Sequence, residues 1–157
     1  MTDGRPQKLH LPSGQKVAVE HFSLVYRDKT LKVSDRQGSL LVSFINLEKG
    51  VKRGWQELRL TVLEADPSAM VVEAEIRPGA PSTGDGWYAA IRAGLRVEFD
   101  VGRVVTVTAW DPTKPELKLK IEIGERVEEK TLVDNAEAWS FGIQLRLKNR
   151  ELFIHGD

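Results

Sequence analysis

The chain has 157 residues, 41% hydrophobic and 29% charged, with 23 basic against 23 acidic side chains and no cysteine. That length suits one domain, since domains cluster near ~100–150 residues. Without cysteine there is no disulfide, thiolate metal site or thiol nucleophile, and the even charge balance argues against a dedicated nucleic-acid binder.

The opening residues, MTDGRPQKLHLPSG, lack the apolar core of a signal peptide, and no run approaches the ~18 apolar residues of a membrane span. The expectation is a soluble chain away from membranes, cytoplasmic or virion-associated. Residues 1–15 contain Gly4, Pro6, Pro12 and Gly14 and read as a loose lead-in to a single domain over 16–157. From Lys16 to Tyr26 both parities are mixed, as in a strand covered on two sides or broken by a bulge. Short strands are expected at Thr30–Val33 and Ser39–Ile45. Residues 46–54, NLEKGVKRG, read as an exposed basic loop.

Further along, Leu58, Leu60 and Val62 alternate with charged or polar neighbours, as do Met70, Val72, Ala74 and Ile76. Period-2 alternation marks strands with one buried face. The stretch 78–86, PGAPSTGDG, has no apolar periodicity and reads as a mobile loop leading to Trp87. Leu95, Val97, Phe99 and Val101, then Val105, Val107 and Ala109, give two strands around Gly102-Arg103. That pair fits a two-residue II′ turn, because glycine accepts positive φ without strain. Leu117, Leu119, Ile121 and Ile123 alternate again, a strand near Val127–Val133 follows, and the face from Trp139 to Leu147 precedes a short last strand, Leu152–His155. Helix is the alternative at Trp87–Ala93 and Asp134–Ala138, but both are shorter than a typical helix. About eleven short strands mean a sandwich or a closed barrel. The fold class expected is all-β, an antiparallel β-sandwich of jelly-roll type.

The order VVEAEIR (71–77), GDGWYAAIR (84–92), LRVEFDVGRVVTVTAW (95–110) and WSFGIQLRLKNRELFIHGD (139–157) resembles the concanavalin A-like lectin/glucanase sandwich, particularly its laminin-G-like branch. The resemblance runs from Met70 to Asp157, and residues 1–69 add no motif to it. It implies a two-sheet jelly roll with a carbohydrate or protein ligand, sometimes a calcium ion, and in some branches glycosidase activity. The catalytic branch carries an E-x-D-x-E type cluster of acids, which this chain does not contain.

Candidate chemistry is sparse. The pairs Glu73/Glu75 and Glu98/Asp100 are each read as sharing a strand face, and glycoside cleavage needs two carboxylates flanking the bond. Alternating charges on a strand are more often solvated surface. His10, His21 and His155 are scattered, with no nucleophile elbow and no metal-ligand spacing. No catalytic residue, cofactor or metal is expected. Basic residues at Lys49, Lys52 and Arg53, at Lys118 and Lys120, and at Arg146, Lys148 and Arg150 are as readily edge protection as a phosphate-binding patch, so nucleic acid is an unlikely partner.

Tryptophan carries the remaining signal. Asp85 with Trp87 and Tyr88 forms an apolar platform with a polar handle beside a glycine-rich loop, the combination that stacks on a sugar ring. Trp110 with Asp111 repeats the theme at the far end of the hairpin. Trp139 reads as core and Trp55 as a loop-edge residue. The expected ligand-binding residues are therefore Asp85, Trp87, Tyr88, Trp110 and Asp111. The leading expectation is a non-catalytic module binding a carbohydrate or protein ligand through loops at one end of a sandwich. A self-associating structural protein of a viral particle or scaffold, forming a homo-oligomer, is the alternative, and a small glycoside hydrolase is the third.

Overall fold

A computed structural model of the chain describes residues 5–156. Every regular element is a strand apart from one 3₁₀ turn, Asp100–Gly102, and there is no α-helix among the described residues. None of the described residues forms a helix long and apolar enough to cross a membrane.

The strands fall into two large sheets that the chain visits in alternation. It lays β1 (Gln7–Pro12) in the first sheet, then crosses to the second for β2 (Lys16–Val19), β3 (Phe22–Arg27), β4 (Thr30–Ser34) and β5 (Leu40–Phe44). It returns to the first for β6 (Lys52–Trp55), β7 (Leu58–Ala65), β8 (Ala69–Ile76) and the two-residue β9 (Ser82–Thr83). The short β10 (Gly86–Tyr88) enters the second sheet. Then β11 (Arg96–Glu98), β12 (Arg103–Asp111), β13 (Glu116–Ile123) and β14 (Arg126–Val133) complete the first, and β15 (Glu137–Ser140), β16 (Ile143–Lys148) and β17 (Glu151–Gly156) complete the second.

The nine-stranded sheet runs β1-β8-β7-β6-β9-β11-β12-β13-β14, and the eight-stranded sheet runs β15-β16-β17-β10-β5-β4-β3-β2. Strands at the ends of one sheet are thus joined to strands at the ends of the other, β1 to β2 and β14 to β15, through three-residue connections. The alternation in the sequence is the cause of the core. Leu24, Val42, Tyr88, Leu145 and Ile154 from the second sheet meet Leu60, Val72, Val105, Leu119 and Ile121 from the first in one buried cluster. Burying such side chains contributes roughly 1.5–3 kcal/mol each.

Several expectations change. Residues 7–12 are not a lead-in: they form β1, paired with β8, with Leu11 fully buried, while residues 1–4 lie outside the described residues. The basic stretch 46–54 ends in β6, where Arg53 is buried and Trp55 is core, so Trp55 is not a loop-edge residue. Trp139 is not core, because the inward positions of β15 are Ala138 and Ser140, and Trp139 is 53% exposed.

The pairing is antiparallel except between β9 and β11, which run parallel. The turn between β11 and β12 spans residues 100–102 rather than two residues. Both Val101 (φ 49°) and Gly102 (φ 74°) are left-handed there, and Phe99 N–H closes it on Arg103 O at 2.8 Å. Val101 is therefore 76% exposed rather than core. A register shift between Val107 and Ala109 is a β-bulge that reverses the parity of β12. Ala109 turns outward, and Trp110 packs against the core instead.

Candidate functional site

From Pro81 onward the stretch 78–86 is bonded to its neighbours. Ser82 is buried and accepts the Gln56 N–H on Oγ at 3.0 Å. Arg59 Nη2 donates to Pro81 O. Thr83 pairs with Gly54 of β6, and Ser82 with Val97 of β11. Gly84 then turns with φ 109°, and a Cβ there would fall 2.3 Å from Cδ of Arg53. Only glycine both adopts that conformation and leaves room for the arginine.

Asp85 emerges from this turn as the centre of a partly buried polar cluster. Its Oδ1 accepts the Gly156 N–H at 2.9 Å. Its Oδ2 accepts from Asn46 Nδ2 at 3.2 Å and stands 3.0 Å from His155 Nδ1. Arg53 Nη2 lies 3.9 Å away and donates to the carbonyls of Ile45 and Asn46. Burial lowers the basicity of the Arg53 guanidinium, and the Asp85 carboxylate partly opposes that effect. With both oxygens engaged, Asp85 links β6, β10 and β17.

Tyr88 is likewise internal. Its ring is fully buried against Phe44 and Trp55, and its hydroxyl donates to Gly84 O at 2.8 Å. Burial raises the Tyr88 phenol far above its ordinary pKa, which the nearby Arg53 charge only partly offsets. Trp110 faces the core, and Asp111 caps its own turn by accepting from Thr113 N–H and Oγ1 at 3.0 and 2.6 Å. Those bonds hold the Asp111 carboxyl below the usual carboxylate range. Tyr88 is thus fully internal, whereas Trp110 and Asp111 are only partly buried, and the Asp111 bonds to Thr113 fall on Oδ1. Trp87 and Trp110 are both partly buried, and Trp87 is the one that stands on the outer face of a sheet.

What surrounds Trp87 comes from strands distant in sequence. Gly86 and Tyr88 point inward beside Phe44, Val42, Ile154 and Leu152, so Trp87 must point outward from the eight-stranded sheet. There it stands between Phe153 of β17 and Ser43 of β5. The Trp87 and Phe153 rings have centroids 4.9 Å apart, and His155 lies 6.3 Å beyond Phe153 on the same strand face. The next strand, β16, contributes Arg146 beside Phe153 and Gln144 beside His155. At the sheet end Glu137 accepts from Gln144 Nε2 at 2.9 Å and Trp139 Nε1 at 3.1 Å. Trp87 also shares a shallow cleft with Lys148, Asn149 and Glu151.

The candidate site is thus a sheet face bearing the Trp87–Phe153–His155 aromatic stripe and rimmed by amide, hydroxyl and charged groups. Sequence reasoning missed Phe153 as a partner because nothing local says that β10 inserts between β17 and β5. The signal available was the shared parity of Phe153 and His155.

Other candidate chemistry stays dispersed. Glu98 pairs with Arg96 at 3.1 Å, and Asp100 lies in the 3₁₀ turn rather than on the Glu98 strand face, paired with Arg103 at 2.7 Å. Among the described residues no three His, Cys, Asp or Glu side chains cluster to hold a metal. No family model matches the chain, and neither does any curated protein or solved structure compared with it.

Proposed function

We propose that the protein is a non-catalytic recognition module that binds a carbohydrate on the outer face of its eight-stranded sheet. The observation that carries this reading is the Trp87–Phe153 ring contact, tilted at 45° and held outward on paired strands beside Ser43 and Arg146. Aromatic faces take up the apolar face of a sugar ring, and neighbouring amides and hydroxyls meet its equatorial oxygens. The concanavalin A-like resemblance of residues 70–157, with the jelly-roll order it implies, supports the same reading. On this reading ligand recognition lies on the sheet face beside Trp87, with the Asp85 carboxylate holding Gly156 and Asn46.

Glycan-array screening followed by calorimetry tests it. Trp87→Ala should weaken binding by about thirtyfold, the ~2 kcal/mol typical of a central aromatic anchor, while the circular dichroism spectrum stays unchanged. A wild-type protein that binds no glycan sinks the reading.

A second reading, self-association, is favoured by one feature. β14 is the outer edge of the nine-stranded sheet, and its Val127 and Val133 are 52% and 53% exposed. An unpaired edge with apolar side chains is a template for pairing. Light scattering after size exclusion should then show a dimer that Val127→Lys/Val133→Lys returns to monomer. A wild type that stays monomeric at high concentration removes it.

A further inference from the structure

The strand registers carry the outward face of the eight-stranded sheet further than its aromatic stripe. Glu137 lies opposite Arg146, Arg146 opposite Phe153, and Phe153 opposite Trp87. Trp87 lies opposite Ser43, Ser43 opposite Lys32, Lys32 opposite Val25, and Val25 opposite Lys16. One unbroken cross-strand row therefore places Arg146 two strands to one side of Trp87 and Lys32 two strands to the other. At ~4.8 Å per strand each cation stands about 10 Å from Trp87 along the row, with Lys16 about 10 Å further.

The row holds three cations against one carboxylate. Glu137 is already engaged by Gln144 and Trp139 and reaches Arg146 only at 3.9 Å. Lys16 and Lys32 make no ion pair with any of the described residues. Lys148 lies on the same face, opposite Glu151. A chain of zero net charge has thus gathered a local cationic excess around its aromatic platform.

We propose that this row takes an acidic glycan, a polysaccharide bearing carboxylate or sulfate groups, laid across the strands. The inference rests on the carbohydrate reading above and names its substrate class. Trp87 and Phe153 stack on a sugar, and Lys32 and Arg146 meet the acidic groups of the residues to either side. A nucleic-acid strand on the same face is one of the outcomes of the test.

The test is calorimetric titration of the full chain with four probes at low salt. These are polygalacturonate, its methyl ester as a neutral counterpart, dextran sulfate, and a single-stranded oligothymidylate. Polygalacturonate or dextran sulfate, whichever source of acidity is preferred, should bind at least tenfold more tightly than the methyl ester. The gap should close as ionic strength rises, because exposed charges are screened within ~10 Å at 0.1 M salt. Lys32→Gln/Arg146→Gln should bind the acidic polymer no better than the ester. Equal affinity for ester and acid, or a gap that survives in the double variant, overturns the acidic-glycan inference and leaves the carbohydrate reading standing. Binding to no polysaccharide overturns both, and tighter binding to the oligothymidylate assigns the face to nucleic acid instead.

Discussion

Tyr88 shows how a single side chain ties the interior to solvent conditions. Its phenol is buried and neutral, and burial raises its pKa well above the ordinary value near 10. Above that pH the unfolded chain gives up this proton while the folded chain keeps it. The unfolded state then binds fewer protons, so stability falls as pH rises, by up to ~1.4 kcal/mol per unit for one such group. Tyr26, raised by burial and then by nearby Asp66, acts in the same direction. Tyr88→Phe should cost about 1 kcal/mol at pH 7 through the lost bond to Gly84. In urea titrations between pH 9 and 11 it should lose stability less steeply than the wild type. Parallel slopes for the two proteins would show that the Tyr88 phenol ionises freely in the fold.

At the scale of elements, β10 is the piece on which the site depends. It is three residues long, yet both its edges are paired, to β5 and to β17. A Cβ on Gly86 would meet Ser43 O at 2.6 Å, backbone that cannot swing aside. Gly86→Ala should therefore destabilise the protein by about 1–3 kcal/mol, as overpacking does. It should also weaken glycan binding, since Trp87 is the next residue. A chemical melt that matches the wild type would mean the strands separate without cost.

The longer elements were legible in the sequence because alternation suffices to find them. Leu58, Leu60 and Val62 are buried as their spacing predicts, as are Leu117, Leu119 and Ile121. Short or unpatterned elements were not legible. Arg53 and Gly54 look like loop residues, and only the partners they meet from β9 and residues 45–46 make them interior. The same limit applied to tryptophan. Trp55 and Trp139 exchange their expected environments, because burial of an aromatic depends on which face the pairing turns inward. A bulge decided the matter for Trp110.

For the whole molecule, the all-β class and the two-sheet arrangement follow from many short alternating segments, whereas the assembly of the site is long-range. Trp87, Ser43, Lys32, Phe153 and Arg146 are brought into one row by five strands spread over more than a hundred residues. No local pattern encodes that row. Charge shows the same separation of scales: a total of zero coexists with a cationic face, because total charge says nothing about where strands carry it.

The two-residue strand β9 gives the nine-stranded sheet a mechanical character. On one side lie β1, β8, β7 and β6, on the other β11 to β14, and each group is stitched by long antiparallel ladders. Between them runs only Ser82–Thr83, through one pairing to Gly54 and two to β11. Hydrogen exchange should find the amides around this seam opening before those of the β7–β8 and β12–β13 ladders. Uniform protection across the sheet would contradict that. The two halves of the broad sheet are thus joined through three strand pairings. The opposite sheet has no such seam: β10, its shortest strand, is paired along its whole length on both edges. The continuous sheet is the one that carries the aromatic row.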